Sequence, residues 1–215
     1  MTYAEALELS PKLAELPPRE ALQVITVPKP AAVKKFLKER VLTISKDEEL
    51  IGDTVMGMRH GERRLCGGYN GEKLTALKEL IESTTERMII FYQYQEDLNK
   101  IKALIKTRPL SFINGQKTDL TAYETKNDSI TLCQWQAGAR GHNLQKASIT
   151  VFFNLTESYE LWEQSFGRTH RIGQVNACRY YLLLTEDSIE EDIKEALDRG
   201  EDFTLELYKR KRGIE

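Results

Sequence analysis

The sequence predicts an α/β fold with a mainly parallel central sheet, preceded by a mostly helical N-terminal extension. Two patterns carry this. Short apolar runs of strand length recur at Met88 to Tyr92, Ile130 to Cys133, Ile149 to Phe153 and Tyr180 to Leu184, and segments of helical apolar spacing separate them. Strands separated by helices need crossover connections, which leave neighbouring strands parallel.

From the N-terminus, Leu13 to Pro18 and Pro28 to Pro30 punctuate a region in which Ala21 to Val27 reads as a short strand. Ala31 to Leu42 and Leu50 to Met58 have helical spacing. Gly67-Gly68-Tyr69-Asn70-Gly71 is a break, which places the main domain boundary near it. The resulting division is a lead-in over residues 1–70, the α/β domain over 71–200 and a helical tail over 201–215. Lys73 to Ile81 is a helix with Leu74, Leu77, Leu80 and Ile81 on one face, and Glu96 to Ile105 is another. Ser111 to Ile113 is a short strand ending at Asn114-Gly115. Glu157 to Phe166 is helical, and Ser188-Ile189-Glu190-Glu191 has the spacing of a capping box. The run Lys209 to Arg212 reads as a solvated helix end.

The 215 residues are 40% hydrophobic and 30% charged, with a net charge of -2. No bulk positive charge points to a coating or packaging role, although a local basic groove is compatible with it. Cys66, Cys133 and Cys178 form no CxxC pair, so neither a zinc site nor a disulfide framework is indicated and a reducing cytoplasm is the simple expectation. No apolar run approaches the roughly 18 residues of a membrane span. Met1 to Ser10 carries early acids and no long apolar core, unlike a secretory signal.

Two clusters have chemical potential. In Gln164-Ser165-Phe166-Gly167-Arg168-Thr169-His170-Arg171-Ile172-Gly173-Gln174, the two arginines stand three apart and would share a face of a helix. Paired guanidinium forks suit phosphate oxygens. By spacing alone, however, such a pair is commonplace on a solvated helix. The second cluster, Gln136 to Leu144, follows a strand and contains Gly138 and Gly141 three apart. It reads equally as a backbone approach to phosphate or ribose and as a plain strand-to-helix turn.

Together and in order, the two clusters resemble known motifs. Gln-x-x-x-Arg-x-x-Arg-Ile-Gly-Gln is similar to motif VI of the Swi/Snf-type branch of superfamily 2 helicases, and Gly-x-x-Gly-x-Asn-Leu to their motif V. Lys73 to Ile81 followed by Arg87 to Tyr92 resembles the helix and motif IV strand that open the second RecA-like domain. The resemblance is continuous from about residue 71 to 197 and looser from 14 to 70, where Leu16-Pro17-Pro18-Arg19 and Met58-Arg59-His60 look like the family's lead-in. It implies a RecA-like three-layer fold. It also implies Arg171 as the principal arginine finger, Arg168 assisting, Gln164 coupling nucleotide state to the domain interface, and Gly141 and Asn143 near the nucleotide. Gln93, Tyr94, Gly138 and Arg140 would border a DNA track, contacting backbone independently of sequence. The chain departs from the pattern at Gly167, where an acid is common, and at His142, where leucine is usual. It is also shorter between Gly115 and Ile130, where only Asp119 to Tyr123 remains of an expected Arg-containing helix. His170 is assigned no chemistry.

No Gly-x-x-x-x-Gly-Lys-Ser/Thr phosphate loop is present; the nearest spacing, Gly52 to Gly57, is followed by Met58-Arg59. The acids of Glu186-Asp187 suit a helix start better than a metal, and no metal-ligand set is assigned. The expectation is therefore half of an ATP-dependent DNA helicase or translocase. ATP with Mg2+ would be held mainly by a missing first RecA-like domain, in cis or in trans, within a bacterial or phage-infected cytoplasm and without membrane contact. A stand-alone nucleic-acid- or protein-binding module, and an unrelated α/β enzyme such as a nucleotide-sugar transferase, are the competing readings.

Overall fold

The computed structural model describes residues 16–138 and 141–214. Leu13, the segment Met1 to Ser10 and the proposed DNA contact Arg140 lie outside the described residues.

Seven strands form one sheet in the order β1-β9-β8-β4-β7-β5-β6. They are β1 (Gln23–Val27), β4 (Met88–Tyr92), β5 (Leu110–Ile113), β6 (Thr118–Asp119), β7 (Ile130–Gln134), β8 (Ile149–Phe152) and β9 (Arg179–Thr185). Every pairing is parallel except that of β6 with β5. At the centre, β4 is buried along its whole length, and Ile89 sits opposite Thr131 on one side and Thr150 on the other. A strand covered on both faces reads as an unbroken apolar run, which is why Met-Ile-Ile-Phe-Tyr is legible as central.

Strand alternation divides the core into two layers. Met88, Ile90, Ile130, Leu132 and Val151 pack with Leu77 and Ile81 of α3 (Gly71–Glu82) and with Leu98 and Ile101 of α4 (Gln95–Leu104). On the opposite face, Ile89, Phe91, Cys133, Phe152, Tyr180 and Leu182 meet α2 (Val55–Cys66), α7 (Tyr159–Phe166) and α8 (Ile189–Asp198). This is the expected α/β three-layer arrangement. A short helix α6 (Trp135–Gly138) follows β7, and α9 (Leu205–Arg212) ends the chain. Among the described residues, no helix is long and apolar enough to cross a membrane.

Several local expectations change. Among its described residues the lead-in has helices α1 (Ala31–Glu39) and α2, but also three strands: β1 joins the main sheet beside β9, while β2 (Val41–Ser45) and β3 (Glu48–Ile51) form a separate hairpin. Helix α1 stops where Arg40 turns left-handed at φ 65°, so the helical reading of residues 40–42 fails there. Leu50 to Met58 is not one helix, because Glu48–Ile51 pairs antiparallel with β2 and the Thr54 hydroxyl then caps α2 by accepting from the Gly57 N–H (3.0 Å). Ser188 does cap α8 through the Glu190 N–H (3.1 Å), but the carboxylate that folds back is Glu190 rather than Glu191. The basic run 209–212 is only partly solvated, because Arg212 bonds Glu62 (2.6 Å) and Asp192 (2.7 Å) and Lys211 bonds Glu195 (2.5 Å). The shortened 115–130 segment folds as β6 and the helix α5 (Thr121–Thr125), with Tyr123 buried in the core.

Candidate nucleotide and nucleic-acid site

Helix α7 is anchored before it reaches the arginines. Trp162 and Phe166 lie on Phe152, with ring centroids 4.7 and 5.3 Å away, and Phe166 meets Tyr180 at 4.8 Å. Each such pair adds about 0.5–1.5 kcal/mol beyond simple burial, so the helix end is held firmly on the sheet. The helix then stops at Phe166. Arg168 and Arg171 therefore do not share a helical face, as their spacing had predicted; they occupy successive turns.

The hydrogen bonds of the segment explain the change. The Phe166 carbonyl accepts from both the His170 N–H (3.1 Å) and the Tyr180 hydroxyl (3.1 Å). The next amides find short-range acceptors: Arg168 N–H bonds the Ser165 carbonyl (3.2 Å), Arg171 N–H that of Thr169 (3.1 Å), and Gln174 N–H that of Arg171 (3.0 Å). Gln174 is buried and closes the segment. Its Nε2 donates to the carbonyls of Ala147 (2.8 Å) and Thr169 (3.3 Å), while its Oε1 accepts from the N–H groups of Val175 and Asn176 (2.9 Å each).

The turns run alongside the second cluster. Leu144 N–H donates to the Arg168 carbonyl (3.0 Å), and Arg171 Nη1 donates to Asn143 Oδ1. Arg168 Nη2 reaches Gln164 Oε1 (3.3 Å), and Gln164 Nε2 in turn reaches Glu160 (2.7 Å). Gly141 has φ 68°, a left-handed conformation that an L side chain adopts only with strain, two residues before Asn143. Gly138 serves packing: it is buried, and a Cβ there would lie 2.8 Å from Cys133 Sγ. Burial pushes the Cys133 thiol up to about 12 despite the opposing charge of Arg168, so it stays protonated and is no nucleophile.

Gln93 and Tyr94 occupy a second location, at the carboxyl end of β4. Gln93 N–H donates to Asn154 Oδ1 (3.2 Å), the Gln93 carbonyl accepts from Gln134 Nε2 (3.3 Å), and the Asn154 carbonyl accepts from the Trp135 indole (3.0 Å). These bonds tie the ends of β4, β7 and β8 into one rim. The Tyr94 ring packs 6.2 Å from His60 with the Arg63 guanidinium over it at 5.6 Å; its hydroxyl oxygen is buried without a hydrogen-bond partner among the described residues, and that burial pushes it up to about 12. A small cavity lined by Phe91, Trp135, Gly138, Gln164 and Arg168 lies between the rim and the arginine turns.

The structure thus brings together Gln164, Arg168, Arg171, Asn143 and Gly141, with Gly138 beneath them, and holds Gln93 and Tyr94 apart on the rim. Sequence reasoning passed over Glu160, which orients Gln164 from one helical turn earlier, and the rim groups Gln134 and Asn154. Asn154 directly after an apolar strand was the available signal, since polar groups at strand carboxyl ends gather on functional rims.

The profile of the helicase conserved C-terminal domain matches residues 72–173. Over those residues the chain carries a helicase conserved C-terminal domain, similar to those of Swi/Snf-type proteins. Relatives include the transcription regulatory protein SNF2 of Saccharomyces cerevisiae, 27% identical over 142 residues that cover 61% of this chain and 8% of that protein. Another is the putative ATP-dependent helicase/translocase YwqA of Bacillus subtilis, 27% identical over 136 residues that cover 59% of this chain and 15% of that protein. The chain therefore spans a small part of these relatives' length. In fold, it matches the crystal structure of the C-terminal part of the Fun30 ATPase domain, with a TM-score of 0.69 and 16% identity, over 94% of this chain and all of the other. In this domain, the segment that resembles motif VI is the pair of turns after α7, and the segment that resembles motif V lies between β7 and β8, against it.

Proposed function

We propose that this chain supplies arginine fingers to an ATP whose phosphates are held by a separate first RecA-like domain, completing an ATP-dependent DNA helicase or translocase. One observation carries the reading: Arg171 and Asn143 meet on a surface that also bears Arg168 and Gln164. Two guanidinium and two amide groups are all donors to phosphate oxygens, so the donor set fits a triphosphate. In this reading Arg171 neutralises charge that builds on the transferred phosphoryl group, an effect worth about a thousandfold or more in rate. Arg168 and Gln164 grip and orient; Gly141 and Asn143 shape the nucleotide edge. Magnesium would come with the ATP on the first domain and supply further charge neutralisation. The relatives' names, which describe ATP-dependent helicases, support the same role.

Gln93, Tyr94, Gly138 and Arg140 belong in this reading to the DNA track. Contacts would be to phosphate backbone, so affinity is indifferent to sequence and falls with salt. Residues 71–200 would form the motor half, residues 1–70 a lead-in whose β1 completes the sheet, and 201–215 a tail.

The test is to combine the full chain with a matching first RecA-like domain and DNA, and to measure ATP turnover. Arg171→Ala should lower stimulated turnover about a thousandfold. If turnover is unchanged, the finger assignment is wrong. Tight DNA binding by the chain with no turnover in any combination would instead establish the stand-alone binding module.

A further inference from the structure

His170 lies between the two arginines but its side chain turns away from them. Its Nε2 is 2.9 Å from the carbonyl oxygen of Pro17. A carbonyl only accepts, so Nε2 carries the proton and donates. Pro17 belongs to a lead-in segment that runs along the start of β9. Cys178 N–H donates to the Pro18 carbonyl (3.2 Å), Glu20 N–H donates to the Cys178 carbonyl (3.0 Å), and Arg19 forms a parallel bridge with Cys178. The Arg19 guanidinium lies 4.0 Å above the Phe166 ring and 5.5 Å from that of Tyr180. Tyr180 in turn donates to the Phe166 carbonyl, which also receives the His170 N–H. Residues 17–20 thus grip the arginine turns at both ends: Arg19 at the close of α7 and Pro17 at His170.

We propose that His170 is a positioning residue for Arg171, fastening the arginine turns to the lead-in strand so that the two move as one body. The bond spans 153 residues of chain, so it joins the start of the described structure to the finger. Anything that shifts the lead-in shifts Arg171. Arg168 and Arg171 have other anchors on their own backbone, but those are all local to residues 165–174 or to motif V. The His170–Pro17 bond, together with Arg19 over Phe166, ties the turns to the incoming chain. The proposal rests on the finger reading above for its effect on turnover, but the strap itself does not depend on it.

Two measurements separate them. In the full chain, His170→Ala should speed amide exchange of residues 168–175 and 17–20 about tenfold, the loss of roughly one hydrogen bond. His170→Gln, whose amide also presents a donor, should restore most of the protection, whereas His170→Asn, with a shorter reach, should not. In the reconstituted ATPase, His170→Ala should lower kcat about tenfold or more with KM little changed, because a small misplacement of a catalytic group weakens the transition state, and His170→Gln should recover it. Unchanged exchange in His170→Ala overturns the strap. Faster exchange with unchanged kcat, while Arg171→Ala is inactive, overturns the positioning role and leaves the finger intact. If Arg171→Ala is also fully active, it is the finger reading that falls.

Discussion

Arg171 donates a hydrogen bond from Nη1 to the amide oxygen of Asn143, so the proposed finger rests on motif V rather than extending into solvent. On an exposed surface, a contact to a neutral amide contributes little, about 1 kcal/mol or less. A phosphate offers charge and two acceptors at once, and competes successfully for the guanidinium. Asn143 therefore holds Arg171 in a defined place without trapping it. A carboxylate at the same position would trap it. Asn143→Asp should lower stimulated ATP turnover about tenfold or more, and further than Asn143→Ala does, with the melting temperature unchanged. Equal effects of the two substitutions would exclude the competition between residue 143 and phosphate.

Gly138 sits over Cys133 and Phe91, with no room for a side chain. Gly138→Ala should cost about 1–3 kcal/mol through overpacking of a buried contact. The companion change Cys133→Ala should relieve most of that, since it removes the sulfur 2.8 Å from the new methyl group. Denaturant midpoints of the single and double variants give the coupling directly.

Lys73 in α3 and Glu190 in α8 form a buried ion pair, with Nζ 2.5 Å from both carboxylate oxygens and Thr185 N–H bonding Oε2 at 2.8 Å. Replacing only the lysine, as in Lys73→Met, strands a buried carboxylate and should destabilise the fold by about 3–5 kcal/mol. The double replacement Lys73→Met with Glu190→Gln should be markedly less costly, because the amide still accepts from Thr185 and no bare charge remains. Chemical denaturation of the three variants tests the ranking.

Asp97 should make stability fall as pH rises. Its carboxylate accepts the N–H groups of Tyr94 and Gly68 (2.8 Å each), but burial is the larger influence and pushes it up to about 6. A raised folded-state value means that the native chain binds the proton more tightly than the unfolded chain. The benefit is complete below about pH 4, the unfolded value, and disappears as pH passes about 6, a span worth up to about 3 kcal/mol. Asp97→Asn cannot ionise and lacks this dependence. The wild type should therefore lose stability relative to Asp97→Asn between pH 4 and pH 7, as seen in melting temperatures; a constant difference would show that Asp97 titrates normally.

The legible parts of this protein are those in which a local rule met no competitor. The buried strand at 88–92 reads as one because five apolar residues in a row suit only a strand covered on both faces. The order of Gly141, Asn143, Arg168 and Arg171 pointed to the family, and the matched residues 72–173 contain all four. Leu50 to Met58 has apolar spacing compatible with a helix, but antiparallel pairing with residues 41–45 gives the backbone groups of Leu50 and Ile51 better partners, and the helix begins only after Thr54. The Arg-x-x-Arg spacing misled for a similar reason: the Arg168 and Arg171 amides bond carbonyls only three and two residues back, and the Tyr180 hydroxyl fastens Phe166 and Thr169 to the sheet, so the helix ends before the first arginine.

Strand periodicity and motif order, both short-range properties of the chain, were enough to determine a parallel α/β sheet and to single out Arg168 and Arg171. Which groups hold those arginines was decided only by the tertiary structure, because the contacts join residues far apart in sequence: Asn143 to Arg171, Ala147 to Gln174, and Pro17 to His170. A guanidinium's chemistry is intrinsic to the residue. Its position depends on whichever distant carbonyl or amide is satisfied by folding, and no local pattern encodes that choice.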